Sequence, residues 1–202
     1  MRIKVCGIRR LEDALLAVDV GASAIGFIFW PASPRFIDPF RARAVAAGLP
    51  PFVTRVGVFV NQPPAYVKSV VGLVRLGAVQ LHGDENPGSY ANAGVPVIKS
   101  VAVDERFRPT SVEDIKNDVT VLLDAHDPVM RGGTGRTIDW RAAADVARRR
   151  RVILSGGLTP SNVRDAVEAV SPYAVDVSSG VESSPGVKDA GKLRAFCAAI
   201  AR

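Results

Sequence analysis

Short apolar runs alternate with amphipathic stretches from one end of the chain to the other. Ile3–Val5, Ala24–Phe29, Arg55–Val60, Ala78–Leu81, Val97–Val101, Val119–Leu123, Val152–Leu154 and Ala174–Val177 each read as a short strand rich in β-branched residues. Most are apolar on both sides, as strands are when a parallel sheet is covered on both faces. Between them the spacing turns helical. Leu11, Ala14, Leu15 and Val18 share one helix face, and Gly21 stands where that helix should end. Asp38-Pro39 marks a helix start, with the segment running to about Ala47. Asn61–Pro64 opens a third helix that turns Val67, Val70, Val71 and Val74 inward and stops near Gly77. A short helix is expected around Pro87–Ala93, a brief crossover at Ser111–Lys116, and a helix capped by Asp139 that runs to the arginines. Thr159-Pro160 offers a hydroxyl N-cap and a first-turn proline ahead of Asn162–Val170, and Lys188–Ala201 is the final helix.

About eight strand–helix units in 202 residues leave ~25 residues per unit, near the compact limit of a (β/α)₈ barrel. A doubly wound open sheet would carry GxGxxG at its first strand–helix turn, and here that turn reads CGIRR. No linker or low-complexity stretch interrupts the alternation. The expected architecture is therefore one α/β domain over residues 1–202, a single (β/α)₈ TIM barrel.

Within that pattern, Arg151–Leu158 (RVILSGGL) runs a buried strand into Gly156-Gly157, and Tyr173–Val177 ends the same way in Ser178-Ser179-Gly180. Small residues at a strand's carboxyl end let the backbone approach a ligand and present free N–H groups to it. The loops after strands seven and eight are where barrels of this kind often hold phosphate. Gly156, Gly157, Ser178 and Ser179 are therefore candidate phosphate-binding residues, although either turn alone could merely reverse the chain.

Composition narrows the function classes. Hydrophobic content of 48% and charged content of 23% suit a globular protein, and no apolar run is long enough to span a membrane. The start, MRIKVCGIRR, lacks a signal-peptide apolar region, so a cytoplasmic enzyme is expected. Two cysteines make no disulfide framework, and no His/Cys cluster suggests a metal. The net charge of +6 raises the question of nucleic acid, but the one basic run, Arg148–Arg151, reads as a solvated helix end complementing the helix dipole. A small anionic substrate accounts for the charge balance equally well. No nucleic-acid or membrane partner is expected, and the chain should be a monomer or weak homodimer.

Catalytic groups in such a barrel stand at the carboxyl ends of strands. Those positions hold Cys6, Arg35 (in the second loop), His82, Asp124, Ser155 and Asp176. Cys6 is either a small buried hydrophobe or a thiolate serving as base or nucleophile. Asp124 either caps a turn or is an acid under a lid formed by Gly132–Gly135, with Arg136 nearby. Arg35 suits a carboxylate or phosphate over the barrel mouth. His82 is a wall residue or a proton carrier, and Asp176 either bonds sugar hydroxyls or braces its strand.

Together, KVCGI, GFIFWPASPRFI, RVGVFVNQ, VQLHGDE, LLDA, GGTGRTIDW, LSGGLTPSNV and DVSSGVESSPGVKD resemble the phosphoribosylanthranilate isomerases, in order and over essentially the whole chain. The resemblance implies a cofactor-free, metal-free Amadori rearrangement of N-(5-phosphoribosyl)anthranilate in tryptophan biosynthesis. By the family pattern Cys6 is the general base and Asp124 the general acid. Arg35 falls at the family's substrate-contacting arginine, the SGG and SSG loops fall where phosphate is held, and His82 and Asp176 join Arg35 as candidate substrate-binding residues from their strand-end positions. Trp30 departs from the smaller residue common at its place, which implies an altered rim. The rival readings are another sugar-phosphate aldose–ketose isomerase, a pentose-phosphate epimerase, or a non-catalytic phosphate-binding or nucleic-acid-binding barrel. Against the histidine-pathway isomerase, the first strand ends in cysteine where paired aspartates would be wanted. Against a metal-dependent epimerase, two histidines are few for a ligand cluster.

Overall fold

Parallel strands that are apolar on both faces need covering inside and out, and here the sheet meets that need by closing on itself. In the computed structural model, which describes residues 1–104, 107–125 and 138–201, the strands are β1 (Arg2–Cys6), β2 (Ala24–Ile28), β3 (Thr54–Phe59), β4 (Ala78–Leu81), β5 (Val97–Val103), β6 (Thr120–Ala125), β7 (Val152–Leu154) and β8 (Ala174–Val177). They form a closed barrel in chain order. β8 returns to β1 with Lys4 opposite Asp176 and Val5 opposite Val177.

The outer layer is α1 (Leu11–Asp19), α2 (Pro39–Ala47), α3 (Pro64–Val74), α4 (Trp140–Ala147), α5 (Val163–Val170) and α6 (Ala190–Ile200), with 3₁₀ turns at Pro87–Ala93 and Pro109–Val112. Asp38 and Asp139 cap α2 and α4 by accepting from first-turn amides, as their sequence context predicts. No helix among the described residues is long and apolar enough to cross a membrane.

Three expectations are corrected. Thr159 does not cap a helix: α5 begins at Val163, and Asn162 instead folds the loop, accepting from Thr159 N at 2.8 Å and donating to Gly157 O at 3.0 Å. Lys188 lies outside α6, in a small antiparallel pair, β9 (Glu182–Ser184) and β10 (Val187–Lys188), and Asp189 supplies the cap. The buried stripe of α1 is Asp13, Ala14 and Ala17, while Leu11 is exposed. The arginine run is exposed at Arg148, Arg149 and Arg151, as a solvated helix end should be, and Arg150 is half-buried. Arg148 pairs with Asp145 and Arg149 with Glu113, and Arg151 lies over the Tyr173 ring. Arg150 donates to the carbonyls of Val112, Ile115, Lys116 and Val119.

The barrel interior has two levels. Val56, Ala78, Ile98, Leu122, Ile153 and Ala174 form an apolar plug. Two residues further along the same strands, and so on the same inward face, stand Val58, Gln80, Ser100, Asp124, Ser155 and Asp176. The pleat thus converts a hydrophobic floor into a mainly polar ring one level up, and β1 adds Lys4 and Cys6.

Candidate active site

The polar ring opens into a cleft lined by Cys6, Arg35, Gln80, His82, Asp124, Ser155, Asp176 and Ser178, with Ile28, Trp30, Val58 and Val60 as apolar wall. The structure therefore brings seven of the sequence-derived candidates (Cys6, Arg35, His82, Asp124, Ser155, Asp176 and Ser178) into one cleft.

Cys6 ends β1 and is buried. On the same inward face Lys4 donates from Nζ to Asp176 Oδ1 at 2.9 Å, both side chains being nearly inaccessible. Burial pushes the Cys6 thiol above its ordinary range, and the Asp176 carboxylate adds to that. The ammonium groups of Lys4 and Lys188 pull the other way. Burial alone would pull Lys4 down, but Asp176 and Cys6 outweigh it and hold the ammonium above its ordinary value. Asp176 is thus first a counter-ion to Lys4, the bracing role the sequence left open, while its place on the cleft wall keeps it within reach of a ligand.

Asp124 ends β6, three strands round the ring from Cys6. Its Oδ1 accepts from Ala125 N at 2.9 Å, which fixes the carboxyl plane. Its Oδ2 lies 3.4 Å from His82 Nε2. His82 Nδ1 is 2.9 Å from the buried amide nitrogen of Gln80. With that amide as donor, Nδ1 accepts and the ring proton sits on Nε2, facing Asp124. His126 and the loop holding Gly132–Gly135 and Arg136 lie outside the described residues.

In the candidate anion cup Gly156 and Gly157 have φ of +86° and +63°, the left-handed region that suits glycine. A Cβ on Gly156 would also come within 2.7 Å of Ala125 N. The second loop packs directly against the first, since a Cβ on Gly180 would meet the Leu158 carbonyl. The amides of Gly156, Gly157, Ser178 and Ser179 donate to no acceptor among the described residues.

Arg35 arrives from the loop after β2 and is itself buried. Its Nε and Nη2 donate to Glu182, at 3.0 Å to Oε1 and 2.8 Å to Oε2, and Lys188 Nζ donates to the same carboxylate at 2.8 Å. The two cations hold Glu182 below the usual carboxylate range despite a burial that acts in the opposite direction.

The model of the N-(5'phosphoribosyl)anthranilate (PRA) isomerase family matches residues 3–199. The chain belongs to this family. The PRA isomerase of Geobacter metallireducens is 52% identical over 198 residues, covering 97% of this chain and 96% of its own. The crystal structure of the Thermus thermophilus enzyme superposes with a TM-score of 0.89 at 46% identity, covering 100% of this chain and 98% of that one. A PRA isomerase solved in complex with reduced 1-(o-carboxyphenylamino)-1-deoxyribulose 5-phosphate gives a TM-score of 0.85 at 42% identity, covering 98% and 96%.

Within this PRA isomerase barrel, Gln80 of the cleft and several buried polar residues around it escaped the sequence reading. Lys4 and Gln80 carried a usable signal, each lying on the inward parity of its strand, two positions before Cys6 and His82. Glu182 and Lys188 carried none, because the β9–β10 pair that buries them was read as loop and helix.

Proposed function

We propose that this chain isomerises N-(5'-phosphoribosyl)anthranilate to 1-(o-carboxyphenylamino)-1-deoxyribulose 5-phosphate, with Asp124 as general acid and Cys6 as general base. The observation that carries this reading is the convergence of a strand-end carboxyl and a strand-end thiol on one cleft, in a chain that matches the PRA isomerase family almost end to end.

The carboxylic acid of Asp124 gives its proton to the furanose ring oxygen as the C1–O bond breaks, and the anilino nitrogen's lone pair forms the Schiff base. The C2 proton, acidified by that C=N bond, passes to the Cys6 thiolate. The electron pair moves into C1–C2 and on to nitrogen, leaving an enolamine. Transfer of the O2 proton to C1 completes the ketone, and exchange with solvent reprotonates Asp124 and deprotonates Cys6. The substrate's own nitrogen is the electron sink, so the reaction calls for no cofactor. Phosphate in the amide cup of Gly156, Gly157, Ser178 and Ser179 would hold one end of the sugar so that acid and base meet it from different sides. Arg35, His82 and Asp176 are assigned to substrate contact.

The test is consumption of phosphoribosylanthranilate, followed by loss of its fluorescence, by the purified protein. Turnover that rises linearly with protein concentration is the expected result. A folded protein that leaves the substrate unchanged, or that only binds it, would overturn the assignment.

A further inference from the structure

Glu182 stands at the start of β9, outside the ring of strand ends, with its side chain 4% exposed. Burying a carboxylate is costly unless it is fully paired. This one accepts from Arg35 Nε and Nη2, from Lys188 Nζ, and from Gly186 N at 3.3 Å. Lys188 Nζ also donates to Ser178 O at 3.1 Å, which ties the cluster to the second loop of the candidate anion cup. The Arg35 stem crosses the residue after Cys6, since a Cβ on Gly7 would lie 2.7 Å from Arg35 Cδ and 3.1 Å from Ser178 Oγ. Arg35 therefore runs between the loop of the base and the loop of the cup.

We propose that Glu182 is a positioning residue for the reaction, fixing the Arg35 guanidinium across the mouth of the cleft so that its remaining edge meets an anionic group of the substrate. The inference rests on the isomerase reading above. A side-on, two-point contact through Nε and Nη2 fixes the guanidinium plane and leaves the Nη1 edge without an acceptor among the described residues. An unpaired arginine would have to be ordered by the substrate at each binding event, whereas this one is ordered beforehand. Two cations against one carboxylate leave the cluster with one positive charge. Lys188 thus prevents Glu182 from cancelling the charge that Arg35 offers the substrate.

The experiment is a double-mutant cycle. Glu182→Gln leaves two buried cations uncompensated and can fail to fold, so the working variant is Glu182→Gln/Lys188→Met, which keeps a net charge of one and an amide oxygen for Arg35. It is compared with wild type, Arg35→Met, and the triple variant. KM and kcat for phosphoribosylanthranilate are measured, together with Kd for the reduced product analogue. The expected result is a KM and Kd raised about tenfold to a hundredfold, with a smaller fall in kcat. In the Arg35→Met background the same change should move either constant by less than about twofold. An equal rise in both backgrounds, or unchanged KM and Kd in the folded Glu182→Gln/Lys188→Met protein, would overturn the inference. Absence of wild-type turnover would instead sink the isomerase reading, and the Kd cycle would still decide the role of Glu182.

Discussion

Cys6 is the residue on which sequence pattern and buried environment pull hardest against each other. A general base must shed its proton, yet the fold buries the thiol and pushes it above its ordinary range. Lys4, one inward position below, opposes that push and is itself kept charged by Asp176 and Cys6. The sign follows for the thiol alone: its base form gains population as pH rises, and Cys6 should reach half-titration above the ordinary range of a thiol. Lys4→Met should move the thiol further up, and adding Asp176→Asn should bring it part of the way back. Thiolate absorbance against pH, with the Cys197 contribution removed by Cys197→Ala, reads this without substrate. A Cys6 titration unmoved by Lys4→Met would contradict the electrostatic account. Gly156 supplies a second residue-level expectation. At φ +86° a side chain there brings about 1–3 kcal/mol of strain and displaces the amides. Gly156→Val should therefore raise KM and weaken competitive inhibition by inorganic phosphate, and unchanged values for both would remove the cup from the binding site.

Element by element, the strands were legible because each is a short apolar run of β-branched residues bounded by turn residues. β4, β7 and β8 match their predicted limits, and β5 and β6 extend by two residues at their carboxyl ends. The helices were legible where a side-chain cap marked them, as Asp38 and Asp139 do. They were less so where the cap lay elsewhere, as with Thr159 and Lys188. A hydroxyl followed by proline is a local signal, and Asn162 overrides it by bonding both Thr159 N and Gly157 O. The β9–β10 pair could not be read at all, because what stabilises it is the burial of Glu182 between Arg35 and Lys188, 147 residues away in one case and six in the other. Arg150 makes the same point on the outer layer: its four carbonyl contacts stitch the segment after β5 to the end of α4. Arg150→Met should cost about 1–3 kcal/mol and lower Tm by roughly 2–4 °C per kcal/mol, in a thermal melt followed by circular dichroism. A loss within error would reduce those contacts to surface decoration.

At the scale of the molecule, ring closure creates the site. Cys6 on β1 and Asp124 on β6 are separated by more than half the chain, and only the return of β8 onto β1 sets them round one cleft. The barrel itself followed from alternation and unit length. Which strand ends face the cleft together follows from the pleat, whose parity places Leu122 in the floor and Asp124 in the ring. The central claim is that these two side chains divide the proton transfers, and the most direct test is single-turnover and steady-state kcat for Cys6→Ala and Asp124→Asn, with folding checked by circular dichroism. Each variant should keep the barrel and lose on the order of 10²–10⁴-fold in kcat. Near-wild-type turnover in either folded variant would contradict the claim for that residue.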